Sequence, residues 1–186
     1  INVKKIIFNL FISNLFYREL NQSEKNNLKK SSIGKFSEIS EHSYIRNGCV
    51  IGDYLKLDEG AVISESCIIG NNVKIGHNTV IQNTIIGDNV CIESNCSIGQ
   101  PGFGFAFNEY NNNKIFHKGR VIIQDNSYIG SNCTIDRGSF SDTIIGENVY
   151  LDNQVHIAHN VIIGSNSMIA GQVGIAGSAK IGNYVR

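Results

Sequence analysis

An aliphatic residue recurs every sixth position along most of this chain, and that spacing excludes most ordinary folds. From Ile33 the series runs through Ile39, Ile45, Ile51, Leu57, Ile63, Ile69, Ile75 and Ile81. It slips by one residue, resumes at Ile86, Ile92 and Ile98, and returns at Ile123, Ile129 and Ile135. It then continues from Ile145 through Leu151, Ile157, Ile163, Ile169, Ile175 and Ile181, giving 22 hexapeptides in all. A 3.6-residue helix would scatter such anchors around its surface. In an extended strand, positions two apart share a face. Two residues before each anchor stands a small or β-branched side chain in nearly every repeat, such as Ser37, Ala61, Thr79, Val90, Thr143, Val155 and Val161. Both positions therefore point inward. Glycine follows ten of the anchors, among them Gly34, Gly52, Gly70, Gly76 and Gly164, and is read as the corner where the backbone turns. Three six-residue sides make one coil of a triangular prism, with coils stacked at roughly 4.8 Å. The expected fold class is all-β, a parallel β-helix over residues 31–186.

Composition narrows the function classes. Acidic and basic residues balance at 16 each, so no overall field favours nucleic acid or an anionic membrane. Nineteen glycines with a single proline, Pro101, do not make a disordered linker when isoleucine is spread so evenly. Five cysteines form no CxxC pair, and no Cys/His cluster has zinc spacing, so no metal site is expected. Cys49, Cys67, Cys96 and Cys133 fall on the small inward position and are read as reduced core residues of a cytosolic protein. Cys91 falls outside that set. His42, His77 and His117 lie far apart in the repeat, with no sign of convergence. Near the start, IIFNLFISNLF (6–16) is too short to span a bilayer and is interrupted by Asn9, Ser13 and Asn14. It is read as a short amphipathic helix within residues 1–30. The chain opens on Ile1, so a fragment or a processed chain is expected.

A regular prism has repetitive faces, so chemistry is expected where the repeat is broken or decorated. The larger break, residues 99–121, is GQPGFGFAFNEYNNNKIFHKGRV. Its aromatic residues, Phe103 and Phe105 among them, suit either an apolar ligand groove or packing on a neighbouring subunit, and the two are compatible. A smaller insertion, DRGSFSDT, occupies residues 136–143. The third feature, LDNQVHIAHNVIIG (151–164), brings two histidines into the repeat without breaking its phase. Asp152 and His159 sit on adjacent sides of one coil, where a carboxylate can fix an imidazole tautomer and leave the other nitrogen a better base. Taken alone, a histidine on such a face is more often a surface residue.

The stretches GQPGFGFAF, GRVIIQDNSYIGSNCTIDRGSFSDTIIGENV, LDNQVHIAHNVIIG and QVGIAGSAKIG resemble the bacterial UDP-3-O-acylglucosamine N-acyltransferases of lipid A biosynthesis, from about Ile33 to Arg186. The resemblance implies a left-handed coil, a homotrimer with active sites in the clefts between prisms, and a cytoplasmic enzyme working near the inner face of a Gram-negative inner membrane. It implies transfer of a 3-hydroxyacyl chain from acyl carrier protein to the 2-amino group of UDP-3-O-(3-hydroxyacyl)-glucosamine. His159 matches the general base, Asp152 the carboxylate that orients it, and Gly177 the backbone donor to the thioester oxyanion. His156, where the family often carries glutamine, is given a binding role only, and Asn160, Phe103 and Phe105 are read with it as substrate-binding residues. No cofactor is implied beyond the phosphopantetheine that carries the acyl donor. Residues 1–30 would close a uridine-binding domain, and the family continues past Arg186 with further coils and carrier-protein-binding helices. Weak or absent activity is therefore expected of these 186 residues alone. A hexapeptide O-acyltransferase, a sugar N-acetyltransferase and a non-catalytic β-helix are the competing readings.

Overall fold

The computed structural model describes residues 31–107 and 111–186. The helix expected over residues 6–16 lies outside them. What is described is a parallel β-solenoid of three sheets, one of eight strands and two of seven, with an added two-stranded antiparallel hairpin. Most strands are two residues long, and the anchor is the second of the pair, as in Val50–Ile51, Val62–Ile63 and His156–Ile157. Successive strands go to successive faces, so each strand pairs with the one three places on: Ile33 lies beside Ile51, Ile51 beside Ile69 and Ile69 beside Ile86. The slip, the excursion and the insertion change the number of residues per coil while leaving the stacking register of the anchors intact. Ile86 still meets Ile123, and Ile123 still meets Ile145.

The inward positions behave as the repeat requires. Ile51, Ile63, Ile69, Ile75, Ile81, Ile98 and Ile135 are wholly buried in one continuous core. Each such side chain contributes about 1.5–3 kcal/mol relative to exposure. The small residues two positions earlier fill the rest, and Thr79, Thr84, Thr143, Ser127 and Ser167 are buried with them. In the first described coil Ile33 and Ile39 are 45% and 42% exposed, because the described residues place no coil beneath them. The four cysteines assigned to the core are buried, and Cys91 is half-buried on the outer side. Burial pushes the Cys67 thiol up to about 12. A hydrogen bond with Cys133, and then burial, hold Cys96 above the usual thiol range.

The corners are not turned where the glycines suggested. Among the glycines that follow an anchor, only Gly99 has a positive φ, 86°. The left-handed residue is the third after the anchor, from Phe36 and Tyr54 through Asn72, Asn89, Asn126, Asn148 and Asn160 to Tyr184. Asparagine dominates there because its short polar side chain tolerates that conformation. The glycines answer a different need. A Cβ on Gly130 would sit 2.7 Å from the Asp152 carbonyl carbon, and one on Gly146 2.7 Å from the Ile163 oxygen. They let neighbouring coils stack closely.

Candidate functional site

Every departure from the repeat falls on one edge of the prism. The strands that carry the anchors Ile45, Ile63, Ile81, Ile135, Ile157 and Ile175 all belong to the third face, as does the longer strand Ser97–Pro101. The slip after Ile81, the excursion after Ile98, the insertion after Ile135, the pair His159–Asn160 and Gly177 each follow one of that face's anchors. This grouping was readable from the sequence, since these are the anchors whose ordinal number is a multiple of three.

Two irregular segments build the edge by zipping together. The excursion leaves through a register shift between Ile98 and Gln100, which puts Gln100 beside Asp136 and Pro101 beside Arg137. It forms the hairpin Phe105–Phe107 with Asn112–Lys114. It returns where Lys118 N–H donates to Ser139 O at 2.7 Å and Gly119 N–H to Gly138 O at 2.9 Å. Arg120 then clamps the insertion. Its Nη2 lies 2.8 Å from Asp142 Oδ2, its Nε 3.2 Å from Oδ1, and its backbone N–H donates to the same Oδ1 at 2.8 Å. Both side chains are about nine-tenths buried.

His159 stands on the turn that this clamp supports, and its tautomer follows from the neighbouring bonds. Asn160 Nδ2 donates to the Ser141 carbonyl at 3.0 Å, which can only accept. Asn160 Oδ1 receives the Ser139 N–H at 3.1 Å, which can only donate. The amide is thereby fixed from both ends. The 2.9 Å contact between His159 Nδ1 and Asn160 Oδ1 therefore has Nδ1–H donating. Neutral His159 keeps its lone pair on Nε2. That face of the ring lies over Gly177 in the next coil, where a Cβ would sit 2.8 Å from Nε2 and from Cε1. The donors beside Gly177 are engaged, Ser178 N–H with His159 O and Ala179 N–H with Ala176 O.

The edge brings together some of the residues singled out from sequence and separates others. His159, Asn160 and Gly177 converge. Asn160, expected as a substrate contact, has its amide bonded within the chain and accepts the His159 Nδ1–H. Asp152 lies at the corner after the second face, the far end of the third face from His159, and its Oδ1 accepts from Asn153 N–H at 2.7 Å. Within one chain the orienting partner of His159 is thus Asn160. His156 sits on the outer side of its strand with Nδ1 2.7 Å from Thr134 Oγ1 and Nε2 4.0 Å from Asp136 Oδ2. Phe103 is 82% exposed and meets Phe105 edge to face, with centroids 5.0 Å apart.

Two members of the edge were not read as site residues. Asp136 is buried, with Oδ1 accepting from Gln100 Nε2 at 2.7 Å. His117, remote in the repeat, packs edge to face on His159 with ring centroids 5.4 Å apart. The excursion carries it there, a placement that its distance in the repeat did not show. Among the described residues no group of three or more His, Cys, Asp or Glu side chains is arranged to hold a metal ion.

Residues 66–100 and 142–177 match the family model described as bacterial transferase hexapeptide (six repeats). The UDP-3-O-acylglucosamine N-acyltransferase of Methylobacterium nodulans is 47% identical over 105 residues, covering 56% of this chain and 30% of that protein. The protein of the same name from Rhizobium johnstonii is 51% identical over 96 residues, 52% of this chain and 27% of that one. The matched stretch thus spans under a third of these curated relatives. LpxA from Acinetobacter baumannii superposes with a TM-score of 0.60 at 25% identity, over 82% of this chain and 55% of that chain. A mutant of AntD, an N-acyltransferase from Bacillus cereus, superposes at 0.53 with 20% identity, over 78% of this chain and 85% of that one, a likeness of fold alone. The resemblance read from the sequence is borne out by relatives that carry the same name.

Proposed function

We propose that this prism is the catalytic core of a UDP-3-O-acylglucosamine N-acyltransferase, moving a 3-hydroxyacyl chain from acyl carrier protein to the 2-amino group of UDP-3-O-(3-hydroxyacyl)-glucosamine. The observation that carries the reading is His159, its Nδ1–H held by Asn160 and its bare Nε2 set directly over Gly177. The names of the relatives supply the substrate class.

In this reading His159 Nε2 takes a proton from the sugar amine as its nitrogen attacks the thioester carbonyl. A C–N bond forms and the carbonyl oxygen becomes an oxyanion, which the Gly177 N–H stabilises. Collapse of the tetrahedral intermediate breaks the C–S bond. The phosphopantetheine thiolate leaves and takes the proton back from His159. The thioester supplies the activation, and no further cofactor enters. His156, the exposed Phe103 and the half-buried Phe105 border the acyl path.

Asp152 lies on a different corner from His159 within the chain, so this reading has it act from a neighbouring copy in a threefold assembly. The enzyme then works in the cytoplasm beside the inner membrane of a Gram-negative bacterium. Among the described residues no helix is long and apolar enough to cross a membrane.

The test is mass spectrometry of the UDP-sugar after incubation of the full-length protein with 3-hydroxyacyl carrier protein. A product heavier by one hydroxyacyl group, attached through an amide, is expected. An ester-linked product on UDP-N-acetylglucosamine would contradict the reading.

A further inference from the structure

One buried polar atom stands out. His117 Nε2 is the only buried side-chain nitrogen or oxygen without a hydrogen-bond partner among the described residues. Only 7% of the residue is exposed. Its Nδ1 lies 3.0 Å from the Ile115 carbonyl, which can only accept, so Nδ1 carries the proton and Nε2 a bare lone pair. Leaving such an acceptor buried and unpaired lowers stability, and native proteins rarely keep one without a use.

The surroundings show where that lone pair is placed. His117 meets His159 at a ring-centroid distance of 5.4 Å and an interplanar angle of 68°. Two glycines of the GFG stretch make room for it. A Cβ on Gly104 would sit 2.9 Å from His117 Cε1. One on Gly102 would sit 3.2 Å from His117 Nε2, 3.0 Å from His159 Cβ and 3.2 Å from Asp136 Oδ2. The wall around His159 therefore consists of an imidazole lone pair, a buried carboxylate and bare backbone. None of these groups has to reorganise when His159 becomes charged, which is the condition under which fixed dipoles stabilise a developing charge.

We propose that His117 is a positioning residue of the acyl-transfer site: wedged edge to face on His159, it fixes the plane of that ring and sets a lone pair beside the imidazolium formed when His159 takes the amine proton. This rests on the proposed N-acyl transfer. The unpaired acceptor persists because its partner is a charge that exists only during turnover.

The test compares His117→Leu and His117→Gln in the full-length protein. Leucine fills the space without a lone pair. Glutamine offers an N–H to the Ile115 carbonyl and an oxygen in place of Nε2. For His117→Leu the expected result is a melting temperature equal to or above wild type, kcat lowered at least tenfold and KM within twofold. His117→Gln is expected to recover kcat to within about threefold of wild type. In 15N imidazole spectra, His159 should stay Nδ1-protonated in both proteins, because Asn160 holds that proton, while its ring signals shift or broaden in His117→Leu. Unchanged kcat in both variants would overturn the proposal, as would a kcat loss that follows a falling melting temperature while the His159 signals stay put. If wild type forms no amide product, the function reading fails separately. The spectra still decide whether His117 controls the His159 ring, and unchanged signals in His117→Leu would overturn it.

Discussion

At the edge between the first and second faces, Asp53, Asn71, Asp88 and Asp125 each accept the backbone N–H of the coil before, at 2.7–2.9 Å. One residue further on, Asn72 donates to Asn89 and Asn89 to Asn126, at 2.9 and 3.2 Å. At the edge between the third and first faces that ladder gives way to an excursion, an insertion and two touching histidines. Both edges arise from the same hexapeptide. On the regular edge each coil satisfies the polar groups of its neighbour, so it is inert. On the broken edge side chains must find partners across irregular backbone, and His117 Nε2 finds none. Chemistry collects where the repeat stops satisfying itself.

The comparison can be broken most forcefully at the clamp. Asp142→Ala takes the carboxylate away from the buried Arg120 guanidinium and should cost about 3–5 kcal/mol in denaturant unfolding. A loss under about 1 kcal/mol would mean that the broken edge does not depend on this pair. Next comes Gly177→Ala, whose methyl group would lie 2.8 Å from the His159 ring. The ring is the far end of a movable side chain, so it shifts while the coil holds. Transfer should fall about tenfold to a hundredfold, which is ~1.4–2.7 kcal/mol of barrier, with the melting temperature unchanged. On the regular edge, Asn72→Gly keeps the left-handed turn and removes one rung of the ladder. It should change stability by no more than about 1 kcal/mol and leave turnover alone.

The smallest effect concerns the core thiols and their pH dependence. Cys67 is held neutral by burial, its ionisation raised from 9.0 to about 12. A raised folded value means that this contribution to stability is complete below pH 9 and erodes as pH climbs toward 12. Native protein at pH 8 should therefore leave Cys67 unlabelled by iodoacetamide, while half-buried Cys91 labels slowly. Rapid labelling of Cys67 would show that the core opens.

The prism was legible because its cause is local and repeated. Ile33 through Ile181 state a period, and the period dictates three faces and one core. The corners were half legible. Gly52 and Gly70 were read as turn residues, but tight stacking and a left-handed turn both favour glycine, and spacing alone does not separate them. The recurring asparagine at Asn72, Asn89 and Asn126 was the better signal. At the site, His159 and Gly177 were found by resemblance, whereas the role of Asn160 depends on Ser139 and Ser141 reaching it from the insertion. His117 was overlooked because 42 residues of chain separate it from His159. Counting anchors in threes would have placed the excursion and the HIAHN segment on the same edge.

The proposed transfer turns on the bare Nε2 of the His159 ring. Single-turnover acyl transfer by His159→Ala in the full-length protein, with circular dichroism to confirm the coil, measures it directly. A rate lower by about 10²- to 10⁴-fold with an unchanged spectrum is the expected result. A folded His159→Ala protein that transfers the acyl chain at close to the wild-type rate would contradict it.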